Sequence, residues 1–155
     1  MSATSLYVPA GSGPTFWGPG DRYTFLVTGE QSGGAYFAME AFVPPGGGPP
    51  PHIHTLEDET FYILDGRCGF RVGERRFTAG PGDFVSVPRG TVHNFRNDGD
   101  GLSRIILTFT PAGIEKFFLE TLEVAKDPKA MPPDNMDAVV ARYIEAAPRY
   151  GMTFV

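Results

Sequence analysis

The stretch GGGPPPHIHTLEDETFYILDG, residues 46–66, decides how the chain folds. Its first third cannot be a ladder strand, because its prolines have no N–H to donate, so it reads as a loop at a rim. His52 and His54 follow at i and i+2, a spacing that in extended backbone puts both imidazoles on one face, about 6–7 Å apart at Cα. Glu59 shares parity with Phe61 and Ile63, so a strand that buries those apolar residues turns the carboxylate inward as well. A buried carboxylate needs a partner, since an unpaired charge costs several kcal/mol or more. The chain has 3 histidines, and the last, His93, shares parity with Phe95 and is expected to face the same interior. Three imidazoles and one carboxylate, His52, His54, His93 and Glu59, then converge as ligands for one divalent transition metal. Such a donor set suits Fe, Mn, Ni, Co or Zn about equally. Parity alone leaves Glu57 open as the carboxylate, and Asp58 is a further acidic neighbour.

Outward from this stretch the punctuation is that of an all-β chain. Asp65-Gly66 is a hairpin turn, and the runs Cys68 to Val72 and Arg75 to Thr78 continue a meander. Asp83 to Val87, Val92 to Arg96 and Ile105 to Thr110 follow, while Tyr23 to Thr28 and Ala35 to Val43 precede it. Roughly eight to ten short strands predict a sandwich or barrel. From Ile114 the period changes. Phe117, Phe118, Leu122 and Ala125 interleaved with Glu115, Lys116, Glu120 and Glu123 predict one amphipathic helix, and Met136 to Ala146 a second. Residues 1–20 read as an arm tied down by Phe16 and Trp17, residues 21–112 as the barrel, and residues 113–155 as a helical extension. Cys68 reads as a small buried hydrophobe, Arg67, Arg71, Arg75 and Arg76 as a solvated hairpin face, and Phe117 and Phe118 as core rather than a lid.

Composition excludes several function classes. With 155 residues, 41% of them hydrophobic, the chain can bury a core without staples. Its net charge of −5, with no basic cluster, argues against nucleic acid and anionic membranes as partners. No apolar run approaches a membrane span, and a single cysteine suits a reducing compartment, so a cytoplasmic location is expected.

The spacings Gly46-x5-His52-x-His54-x4-Glu59-x6-Gly66 and Gly82-x5-Pro88-x-Gly90-x2-His93-x3-Asn97 resemble the two motifs of the cupin superfamily, with every signature position filled. The resemblance implies a double-stranded β-helix, a jelly-roll barrel carrying two short C-terminal helices, whose open mouth holds a metal on His52, His54, Glu59 and His93. It favours Glu59 over Glu57 as ligand and makes Asn97 a turn former. The chain also resembles small quercetinase-like dioxygenases, in which the glutamate ligand accepts the proton of an enol or phenolic substrate. That resemblance makes Glu59 the catalytic base, O₂ a co-substrate and a homodimer the expected assembly, while the excess of aromatic over charged residues at the expected interior positions suits a small, flat aromatic substrate. The alternatives are a non-redox lyase or isomerase using the metal as a Lewis acid, and a small-molecule-binding cupin without turnover.

Overall fold

A computed structural model describes residues 2–155. Two antiparallel sheets pack face to face. One has the order β11-β1-β2-β3-β10-β5-β8, built from β1 (Thr15–Trp17), β2 (Arg22–Val27), β3 (Phe37–Val43), β5 (Asp58–Asp65), β8 (Phe84–Val87), β10 (Ser103–Thr110) and β11 (Glu123–Val124). The other has the order β12-β4-β9-β6-β7, built from β4 (His52–His54), β6 (Cys68–Val72), β7 (Arg75–Ala79), β9 (His93–Asn97) and β12 (Met152–Phe154). This is the jelly roll expected from the motifs. No described helix is long and apolar enough to cross a membrane.

Period-2 burial fills the space between the sheets. In β5 Glu59, Phe61 and Ile63 are buried while Tyr62 and Leu64 face out, and β10 buries Ile105, Leu107 and Phe109 against them. The core is strongly aromatic: Phe61 meets Phe70 and Phe95 at ring-centroid distances of 5.2 and 5.6 Å, both edge-on. Each such ring contributes about 2–3 kcal/mol by leaving water. Cys68 is buried beside them, as its size and polarity predict.

Two motif glycines occupy backbone that side chains avoid. Gly66 (φ 83°) turns the chain between β5 and β6, against Ser103, and Gly90 (φ 83°) places its N–H 2.7 Å from the His54 carbonyl. Asn97 is a loop organiser: its side-chain amide donates to the Val43 and Gly101 carbonyls and its oxygen accepts from the Gly99 N–H.

The region after Thr110 departs from the helical pattern. Helix α1 covers Glu115–Thr121 and α2 covers Asp137–Ala146. Leu122 leaves the first helix in extended backbone, and Glu123 and Val124 pair with Trp17 and Phe16 instead of continuing the 3.6-residue period. The free edge of β1 satisfies backbone groups that a further helical turn would have satisfied internally. Glu115, expected on a solvent face, is buried and accepts from the N–H groups of Gly29 and Gly113. A 3-10 turn at Ala147–Tyr150 and Gly151 (φ 70°) then lead into β12. That strand pairs with β4, matching Met152 to His54 and Phe154 to His52, so the segment read as purely helical also supplies a strand beside the two histidines.

Candidate metal centre

The sheets bring His52, His54, Glu59 and His93 together. All four are buried, at 2–6% exposure, and one candidate ligand atom from each lies within 4.8 Å of all the others. Register does most of this. His52 stands opposite His93 in the β4–β9 pair, with ring centroids 4.4 Å apart, and His54 follows two residues along the same face. Glu59 comes from the facing sheet, where it sits between Phe109 of β10 and Val87 of β8.

Each imidazole is oriented by a contact on its outer nitrogen. His52 Nδ1 lies 2.9 Å from the Pro50 carbonyl and His93 Nδ1 lies 2.9 Å from the Thr91 carbonyl. A carbonyl only accepts, so both Nδ1 atoms carry the proton and Nε2 is the atom left for the interior. His54 Nδ1 donates to Glu57 Oε1 at 2.7 Å, which fixes the third ring in the same sense.

The three consecutive acids therefore divide the work, which parity alone could not resolve. Glu57 is buried and holds His54. Asp58 lies toward solvent, where its carboxylate takes the Arg89 backbone N–H at 2.9 Å and the Arg89 Nε–H at 3.0 Å. Glu59 is the one of the three that reaches the inward Nε2 atoms, its Oε2 lying 2.8 Å from His93 Nε2 and 3.4 Å from His54 Nε2. The role of Glu57 was missed in the sequence reading, although its place three residues after His54 was the available signal.

Electrostatics within the cluster favour a cation among these donors. Burial pulls the Glu59 carboxyl upward, but the hydrogen bond from His93 and the three imidazoles outweigh it and hold the group below the ordinary carboxylate range. Burial pulls His93 down, and its bond to Glu59 more than reverses this, so its pKa is raised. His52, with no such bond to the carboxylate, is driven by burial to about 4 and is neutral near pH 7. The contact of His93 Nε2 with Glu59 Oε2, 2.8 Å long, is one that a divalent ion held by these donors would replace. Beside His54 and Glu59 is a chamber of about 60 Å³ walled by Met39, Leu107, Phe109, Phe117 and Phe118. Phe117 and Phe118 are core, as expected, and also wall this chamber.

Comparison with known proteins agrees with this geometry. Residues 39–109 match the family described as cupin domain. The quercetin 2,3-dioxygenase of Bacillus subtilis is 31% identical over 111 residues, covering 65% of this chain and 32% of the relative. The oxidoreductase OpS7 of Beauveria bassiana is 35% identical over 109 residues, covering 64% of this chain and 35% of the relative. The chain thus spans about a third of the length of either. The solved structure of KdgF from Halomonas sp. aligns with a TM-score of 0.64 at 18% identity, over 74% of this chain and 99% of that one, a likeness of fold.

Proposed function

We propose that the chain, whose residues 39–109 match the cupin domain family, is a metal-dependent dioxygenase of quercetinase-like type acting on an enol or phenolic substrate. The observation that carries this reading is the buried convergence of His52, His54, Glu59 and His93, with the three imidazoles each turned Nε2-inward by a contact on Nδ1. When bound, a redox-capable divalent ion with these four donors would keep one or two positions for substrate and O₂. The protein residues then have separable tasks. Glu59 Oε2 accepts the substrate hydroxyl proton, moving from its contact with His93 to do so. Glu57 and the Pro50 and Thr91 carbonyls keep the rings in the ligating tautomer. Phe109, Phe117, Phe118 and Leu107 exclude water from the chamber, which strengthens the electrostatic interactions inside it.

The reading is tested by elemental analysis of protein purified without added metal or chelator, followed by O₂ uptake with a flavonol and with a simple catechol. About one equivalent of Fe, Mn, Ni or Co with O₂ consumption is the expected result. Bound zinc, or any metal without O₂ uptake, overturns it in favour of a Lewis-acid lyase or isomerase, or of a binding protein. Glu59→Gln should lower turnover about 10²-fold or more while metal is retained, and unchanged turnover would remove Glu59 as the base.

A further inference from the structure

Between α2 and the loop at Gly48–Pro50 runs a groove of about 450 Å³, a volume suited to a small organic molecule. Its outer lip is Val140 and Ile144 of α2, and Ile144 is 62% exposed. Pro49, Tyr143 and Phe154 make most of its walls apolar. One group breaks that character. Asp21, at 4% exposure, lines the groove, and its Oδ2 accepts from the Tyr23 hydroxyl at 3.0 Å. Its Oδ1 is buried and has no hydrogen-bond partner among the described residues. Leaving a buried acceptor unpaired is costly, and nothing in the fold offsets it here.

The groove also abuts the candidate metal centre. Tyr23, Pro49, Tyr143 and Phe154 line both the groove and the chamber beside His54 and Glu59. A ligand seated in the groove is therefore separated from the centre by two tyrosines, a proline and a phenylalanine. The apolar walls suit a flat ring system, and the orphan carboxyl oxygen suits a hydroxyl donor. A phosphorylated or carboxylated ligand would set an anion against Asp21. Burial pushes the Asp21 carboxyl up to about 7, so an anionic neighbour would be penalised further and a neutral hydroxyl favoured.

We propose that this groove binds a hydroxylated aromatic molecule, its rings against Pro49, Phe154 and Ile144 and its hydroxyl donating to Asp21 Oδ1. This goes beyond the dioxygenase reading and does not rest on it. The test uses two probes of equal shape, 2-naphthol and 2-methylnaphthalene, titrated into the metal-loaded protein and read by naphthalene fluorescence. The hydroxyl should tighten binding about tenfold. Asp21→Leu should erase that preference while methylnaphthalene still binds, and Ile144→Arg, at an exposed position, should weaken both probes by about tenfold or more. A preference that survives Asp21→Leu, or undiminished binding of both probes to Ile144→Arg, overturns the inference, and the second result stands even if the first variant does not fold. The two readings fail separately: loss of the dioxygenase reading appears as missing metal or O₂ uptake with the naphthol preference intact, and loss of this one as the reverse.

Discussion

At the scale of single residues, the chemistry turns on side chains that touch a proposed ligand rather than a substrate. Glu57 holds His54 by one hydrogen bond, and partners of this kind cost about 10–100-fold in metal affinity when removed. Glu57→Ala should show that loss in a competitive chelator titration, whereas Glu57→Gln, whose Oε1 still accepts from Nδ1–H, should recover most of it. Asp21 gives a prediction of different sign. Its carboxyl is raised by burial from 3.8 to about 7. Well below pH 3.8 the folded and unfolded chains both keep the proton, and no penalty exists. As pH rises toward 7 the unfolded chain loses the proton first, so stability contributed by the protonated folded form is progressively lost. Asp21→Asn should therefore unfold nearly like the wild type near pH 3 and be more stable near pH 8, by on the order of 4 kcal/mol in denaturant titrations. The four candidate ligands were legible because scarce residue types fell at strand parity with Phe61 and Phe95. Asp21 was not, because nothing local marks a carboxylate that tertiary packing alone buries.

At the scale of elements, β4 is only three residues long and carries two of the four candidate ligands, so its neighbours must hold it. β9 supplies one register pair, His52 to His93, and β12 supplies three. The Val155 N–H also donates to the Pro51 carbonyl, and the Thr55 N–H to the Gly151 carbonyl. Deleting Met152–Val155 should leave most of the barrel folded, speed amide exchange at His52–His54, and lower metal affinity about tenfold or more. Unchanged affinity would show that β9 and the Pro50 contact suffice. The strands from β5 to β10 could be read from alternation and turn residues. β12 could not, because Met-Thr-Phe is too short to show a period, and its pairing with β4 spans about a hundred residues of sequence. β11 was hidden differently: Leu122 and Ala125 keep the helical spacing of Phe117 and Phe118, and only the unpaired edge of β1 decides against it.

At the scale of the whole molecule, the candidate centre lies between two aromatic groups, with Phe61, Phe70 and Phe95 on the His93 side and Phe37, Phe109 and Phe118 on the His54 side. Close-packed rings hold the donors without the ion, so the chain should fold free of metal and gain stability on loading. At free metal about 100-fold above its Kd the gain is about 2.7 kcal/mol, seen as a concentration-dependent rise in Tm. A metal-free chain without a cooperative transition would contradict this. Within that frame, the contacts that fix imidazole orientation are all short in sequence: Pro50 with His52, Thr91 with His93, and Glu57 with His54. The instruction for which nitrogen faces inward is thus written beside each histidine and does not depend on the distant walls. Such a centre is portable: the groove, the helices and the chamber lining can drift toward new substrates while the three donors keep their tautomers, and a graft of residues 50–59 and 91–93 onto another barrel of this register would carry the ligating geometry with it.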